Sequence, residues 1–195
     1  GNIKIDINKN CKEVMNYIKK YMNLEASLAV NNVKGEINFM NRGNFKHLDK
    51  ADTEHTEINK ILQSIRKYFS DLIKTNKKQQ KNKNILVKIH TTEKRRYLEV
   101  TNTRLNILKQ ELKRYNNKIN LQIKINENEL LEYELDLKTL KFTSGTGGNK
   151  KIDGDSMQKI YFKILQTQDN LKESLLGSYK EFIRGDEAKS LQSFD

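Results

Sequence analysis

Two long apolar stripes at helical spacing, far apart in the sequence, constrain the fold of this chain more than any other feature. Apolar side chains recur at steps of three and four in residues 49–82 and again in residues 151–188, which is the pattern of a helix with one buried face. The first stripe holds Ile58, Ile61, Leu62, Ile65, Tyr68, Phe69, Leu72 and Ile73. The second holds Met157, Ile160, Tyr161, Ile164, Leu165, Leu171, Leu175, Leu176, Tyr179, Phe182 and Ile183. Stripes of matching length predict an antiparallel helix pair with a coiled-coil seam.

The stretch between the stripes changes to the alternation typical of β-strands. It predicts one hairpin from residues 85–89 and 97–100, joined by a turn at 91–94. A second hairpin is predicted from residues 119–125 and 133–137, with a short helix capped by Thr103 between the two. We therefore predict an α+β fold in which the long helix pair carries a four-stranded antiparallel sheet at its tip.

The positive charge of the chain is concentrated in one strip. The formal net charge is +12, and residues 74–118 hold 14 Lys and Arg against 3 Asp and Glu, a net of +11. A field of this kind is expected of a surface that meets phosphates, although the polar residues 74–84 fit a solvated linker equally well. An acidic run at 127–136 should face outward, either toward a partner or as protection of an edge strand.

Other functional classes find little support in the sequence. No apolar run approaches the length of a membrane-spanning helix, and the single Cys11 excludes an internal disulfide, so we expect an intracellular protein without a membrane segment. His47, His55 and His90 are scattered without ligand spacing or a partnered nucleophile. Residues 145–151 (GTGGNKK) lack the spacing of a phosphate-binding P-loop and fit a return loop better. We expect a binding module with no metal or cofactor, not an enzyme.

Three short motifs occur in the order and spacing of a known family. Residues 43–49 (GNFKHLD) precede the first stripe, residues 96–101 (RYLEVT) lie in the first predicted hairpin, and residues 138–141 (KTLK) lead back toward the second stripe. Over about residues 36–184 this order resembles the lever and clamp of MutS mismatch-repair proteins. In that family a motif like the first opens the descending lever helix, and a motif like the second lies in the first clamp hairpin.

The resemblance implies a domain organisation. Residues 1–48 would end a core or connector region with one helix, and 49–82 would be the descending lever helix. Residues 83–150 would form the β-rich clamp, 151–188 the ascending lever helix and 189–195 a tail. The mismatch-reading domain and the ATPase and dimerisation domain would lie outside this chain. ATP, Mg²⁺ and a MutS-like dimer partner are therefore expected for the parent protein only.

The resemblance and the charge together predict binding to the backbone of duplex DNA without sequence preference, because backbone contact needs cations and donors only. The candidate contacts are Arg95, Arg96, Asn102, Thr103, Arg104, Lys109, Lys113, Arg114, Lys138 and Lys141. Tyr97 and Tyr133 could stack on bases or belong to the core. Two alternatives remain: a coiled-coil scaffold whose charged β tip docks a protein, and a basic RNA-binding stalk.

Overall fold

The computed structural model describes residues 7–29, 38–76, 79, 81, 84–92 and 94–192. These residues form two compact units, which we describe separately. The central unit comprises residues 54–167, and the terminal unit comprises residues 1–53 and 168–195. The fold is α+β, as predicted, with long helices and a four-stranded antiparallel sheet. None of the helices in the described ranges combines the length and the apolar character that crossing a membrane requires.

The central unit is built on a four-stranded sheet in the order β1-β2-β6-β5. Its strands are β1 (Lys88–Thr91), β2 (Arg96–Val100), β5 (Leu140–Ser144) and β6 (Lys150–Gly154), and every neighbouring pair is antiparallel. Helix α4 (Asn102–Leu112) follows β2. The remaining strands, β3 (Lys118–Asn126) and β4 (Glu129–Asp136), pair only with each other.

The composition of the four-stranded sheet differs from the prediction. The first predicted hairpin is present, because β1 pairs with β2, but its first strand begins at Lys88 and ends at Thr91, not at the predicted 85–89. The second predicted hairpin forms a separate two-stranded ribbon. Its place is taken by a hairpin of β5 and β6, which spans the segment that we expected to be a return loop. Gly147 and Gly148 adopt φ values of +59° and +82° in its turn, which glycine adopts at little cost.

The core of the central unit lies under both sheets. Helices α3 (Lys46–Lys74) and α5 (Asp155–Gln192) contribute the stretches of the predicted stripes that fall within this unit. Ile65 and Phe69 of α3 and Ile164 of α5 are fully buried, together with Leu98 and Ile152 of the sheet. The ribbon adds alternate residues of β3, whose burial pattern is strictly periodic. The helical and strand periods read from the sequence are both confirmed here.

The two long helices differ from the predicted ranges at their ends. Helix α3 begins three residues before Asp49 and ends at Lys74, and residues 77, 78, 80, 82 and 83 lie outside the described residues. Helix α5 begins at Asp155 because residues 150–154 belong to β6. Asp155 therefore supplies the carboxylate of the first turn, where it offsets the positive end of the helix dipole.

The terminal unit contains α1 (Ile7–Tyr21), α2 (Leu24–Ala29) and the outer ends of α3 and α5. The helical spacing of apolar residues over 8–28 predicts one helix there, but the helical stretch is interrupted at Asn23. There the Asn23 N–H donates to Phe39 O and the side chain accepts from Ala26 N–H, an N-cap that begins α2. A small core holds Met40, Phe45, Leu48, Ala51 and Leu171. The sequence also favours a short extended piece at 36–40. It is described only from residue 38, and Met40 forms an isolated bridge with Met22.

Candidate nucleic-acid interface

The candidate contacts at the first hairpin separate into one exposed and one buried arginine. Arg95 precedes β2 and is exposed. Arg96 begins β2, is only 8% exposed, and donates from Nη1 to Asn59 Oδ1 at 2.9 Å. A long charged side chain is this buried only when its head group is paired. Arg96 therefore has a structural role, and its assignment as a backbone contact stays a prediction that its burial does not support.

The start of α4 holds three further candidates. Asn102 and Thr103 are exposed in its first turn, whereas Arg104 is half-buried and donates from Nη1 to Leu86 O at 3.3 Å. Thr101, with φ −69° and ψ 156°, occupies the N-cap position without a side-chain cap bond. Thr103 lies inside the helix, so its predicted capping role was wrong. Of the three, Asn102 and Thr103 are the residues open to a ligand.

A groove at the end of α4 brings two predicted cations together. Lys109 and Lys113 line it with Leu137, Leu140 and Phe142, and its volume is about 420 Å³. Lys109 Nζ lies 5.1 Å from the centroid of the Phe142 ring, a cation–π contact that holds the ammonium in place. The groove is thus a cationic surface with an apolar floor.

The other cations near this groove are exposed. Lys138 and Lys141 lie beside the lining residues in sequence. Arg114 pairs with Glu111 at 2.8 Å, one turn earlier on the chain, so its charge is partly neutralised. Lys109 and Lys113 are therefore the predicted contacts that the fold brings together in one lining, whereas Lys141 alternates with Leu140 and Phe142 along β5 and belongs to the opposite face of the strand.

A second cationic cleft lies between the β1–β2 turn, the β5–β6 hairpin and α5, all within the central unit. We name this the turn cleft, and its volume is about 390 Å³. Its lining holds Lys94, Arg95, Arg96 and Lys151 and, among the described lining residues, no carboxylate. The lining also includes the aromatic residues Tyr97, Tyr161 and Phe162. The sequence prediction had named only Arg95 and Arg96 in this region.

The floor of the turn cleft is fixed by buried tyrosines. Lys151 Nζ lies over the rings of Tyr97 and Tyr161 and pairs with Asp153 at 3.1 Å. Tyr161 Oη donates to Ile152 O at 2.6 Å and accepts from Leu98 N–H at 3.0 Å, so it bridges β2 and β6. Burial raises the pKa of Tyr161 well above its usual range. Hydrogen bonds from Gly154 N–H, Lys151 and Gln158 lower the pKa of Asp153 in spite of its partial burial.

Lys94, Lys151 and Phe162 of the turn cleft were missed, although the sequence carried a signal for the last two. Lys151 follows Lys150 directly after the glycine-rich turn, and a basic pair beside such a turn is a common anion-binding arrangement. Phe162 falls outside the apolar stripe, which uses its neighbour Tyr161. A large aromatic residue off the buried stripe is predicted to be exposed. Phe162 is indeed 67% exposed.

The acidic strand faces away from the core, as expected. Glu132 and Glu134 of β4 are exposed, and alternate residues of the strand are turned inward. Lys118 of β3 pairs with Glu134 at 2.7 Å across the ribbon. These carboxylates are absent from the linings of the two cationic surfaces within the described residues. Tyr97 and Tyr133 both pack into or against the core, which favours the core interpretation of these tyrosines.

The histidines and the cysteine lie in separate places. His47 bonds to Ser178 Oγ in the terminal unit, His55 bonds to Thr167 Oγ1 in the central unit, and His90 stacks on Tyr97. Cys11 is exposed on α1. Within the described ranges, no group of three or more His, Cys, Asp or Glu residues is placed to hold a metal ion. Comparison of the chain with protein-family models, curated proteins and solved structures finds no match.

Proposed function

We propose that the central unit binds the backbone of duplex DNA without sequence preference, as the clamp of a MutS-like protein would. The observation that carries this proposal is the distribution of charge between the units. The central unit holds 24 Lys and Arg against 13 Asp and Glu, a net of +11, whereas the terminal unit has a net of +1. A field confined to one unit attracts a polyanion to that unit and orients it there.

The exposed cations support contact with phosphates. Five exposed cations present charge without a carboxylate partner among the described residues: Arg95, Lys109, Lys113, Lys138 and Lys141. Such cations position a protein on a duplex but carry no sequence information. Arg96 is left out of the proposal because of its burial. The acidic face of the ribbon would repel DNA and marks the side turned away from it.

The lever interpretation draws support from contacts within the terminal unit. His47 of α3 bonds to Ser178 of α5 at 3.0 Å, and Leu48 and Ala51 share a core with Leu171. As the position rises along α3, the partner position falls along α5, which is what an antiparallel pair produces. In this proposal the chain is a binding and coupling module, not an enzyme, and ATP and Mg²⁺ act in a domain outside it.

A salt series tests the proposal. Neutralising roughly four to six phosphates gives a log–log slope of affinity against salt near −4 to −5, measured by fluorescence anisotropy on random-sequence duplexes. The double variant Lys109→Glu and Lys113→Glu should weaken binding at least tenfold, and equally on matched and mismatched duplexes, because it adds repulsion at the backbone. A matched control, Lys172→Glu with Lys180→Glu, makes the same change of charge on exposed residues of the terminal unit. Equal losses in both variants, or binding that ignores salt, would refute the assignment.

A protein-interaction scaffold is the second candidate function. Leu176, Tyr179 and Ile183 of α5 are 55%, 41% and 39% exposed and follow one another at steps of three and four. An exposed apolar stripe of this kind is typical of a helix that pairs with another helix. Light scattering after size exclusion, over a range of protein concentrations, distinguishes the two. A scaffold associates through this stripe and is unaffected by nucleic acid.

A further inference from the structure

The turn cleft has a cationic side and an aromatic side. On one side lie Lys94 and Arg95, which are exposed and make no ion pair with any described residue. On the other lies Phe162 of α5, a ring that is 67% exposed. We propose that this cleft binds a nucleotide unit, with the phosphate at the cations and the base stacked on Phe162.

The cationic side suits a phosphate. A guanidinium offers paired N–H donors that match two phosphate oxygens, and an ammonium adds a point charge. Lys151 gives a fixed charge in the floor, since its ammonium is held by Asp153 and by two aromatic rings. Because Lys151 is already paired, Lys94 and Arg95 are the groups left to bind the anion.

The aromatic side suits a base. The Phe162 ring has no polar atom, so no hydrogen bond accounts for its exposure, and it lies on the rim of a cleft of about 390 Å³. That volume is within the range of small-ligand sites. Stacking of a base on an aromatic ring does not depend on which base it is. The cleft therefore fits any nucleotide whose base is free to stack.

A free base distinguishes this site from the backbone contact proposed above. The bases of an intact duplex are stacked inside it, so blunt duplex DNA cannot place one on Phe162. An unpaired nucleotide at a DNA overhang can, and so can a free nucleotide. The nucleotide cleft goes beyond duplex backbone binding, and either proposal can fail while the other stands.

Truncation of the ring tests the stacking. We expect Phe162→Ala to weaken binding of a duplex with a single-stranded thymine overhang about 5- to 150-fold, the range for losing one stacked base, with blunt duplex unaffected. An overhang of abasic sites keeps the phosphates and removes the bases, so the wild-type protein should bind it as weakly as the variant binds thymines. Leu130→Ala is the matched control, because Leu130 is also 67% exposed and lies in the central unit. Equal effects of the two variants, or tight binding of the abasic overhang, would overturn the proposal.

The phosphate and the source of the nucleotide are tested in the same assay. Arg95→Gln should weaken overhang binding with or without bases and reduce the salt slope by about 0.7; an unchanged slope contradicts a phosphate at this position. Displacement of the overhang by thymidine monophosphate but not by inorganic phosphate assigns a free nucleotide to the cleft. Binding that depends on Phe162 but resists both competitors assigns a nucleotide within a strand. Circular dichroism of each variant establishes that it is folded.

Discussion

Removal of the Tyr161 hydroxyl group is the sharpest test of how the central sheet is held together. Leu98 of β2 and Ile152 of β6 lie opposite each other, and Leu98 N–H and Ile152 O both bond to Tyr161 Oη. All three residues are at most 4% exposed. The variant Tyr161→Phe keeps the ring and removes the hydroxyl that this buried donor and this buried acceptor both bond to. An unsatisfied buried group costs about 1–3 kcal/mol, so for the two groups together we expect a loss of about 2–6 kcal/mol from the free energy of unfolding.

Urea unfolding followed by circular dichroism measures this loss. With a slope of about 2 kcal/mol per molar urea, the midpoint should fall by about 1–3 M while the slope stays constant. Tyr133→Phe is the control, because Tyr133 is half-buried in the same unit and its hydroxyl has no hydrogen-bond partner among the described residues. It should change stability by about 0.5 kcal/mol or less. If the two variants lose the same amount, the hydroxyl bridge does not stabilise the sheet.

Two further predictions concern pH and the β6–α5 junction. Burial raises the pKa of Tyr161 above its ordinary value of 10.0, and burial with the Tyr115 hydrogen bond raises that of Tyr68 to about 12. Because the pKa of each tyrosine is higher in the folded state, the stability that the neutral hydroxyl groups contribute is complete below pH 10 and is lost as the pH rises above it. The free energy of unfolding should therefore fall less steeply with pH in Tyr161→Phe than in the wild type, by about 1.4 kcal/mol per pH unit. At the junction, Gly154 has φ +105° and an added Cβ would lie 1.7 Å from Thr139 O, whereas Gly148 has φ +82° and open space. Gly154→Ala should therefore lower the free energy of unfolding in urea by more than about 3 kcal/mol and Gly148→Ala by only about 1 kcal/mol; equal losses would contradict the clash.

Long periodic segments could be predicted from the sequence because each repeats one signal many times. The burial of Ile65 and Phe69 in α3 and the alternation of β3 follow directly from their periods. The β5–β6 hairpin could not be predicted in this way. Its strands have five residues each, and in β5 only part of the pattern is turned inward. The two glycines of the turn are a stronger signal than the short strand pattern on either side of them. Glycines of this kind are typical of a loop and of a tight hairpin turn equally.

The candidate site, too, could be predicted from the sequence only in part. The basic strip located the cationic surfaces of the central unit, since charge density is a property of composition. Which cation is exposed depends on partners distant in the sequence. Arg96 donates to Asn59, which lies 37 residues away in the sequence. The sequence around Arg95 and Arg96 therefore does not show that one of them is exposed and the other buried.

A series of hydrogen bonds that begins at Arg96 explains why Arg96 and Arg95 have different roles. Asn59 Oδ1 accepts from Arg96, so its Nδ2 must donate to His55 Nε2 at 3.0 Å. His55 therefore carries its proton on Nδ1 and donates to Thr167 Oγ1 at 2.9 Å, and Thr167 in turn donates to Lys163 O. The donors and acceptors of these four residues are therefore compatible with one orientation of the Asn59 amide and one tautomer of His55. Withdrawing Arg96 would leave Asn59 Oδ1 without this donor, at a cost of about 1 kcal/mol. Arg96 thus ties β2 to both long helices within the central unit, and Arg95 is left to meet a ligand.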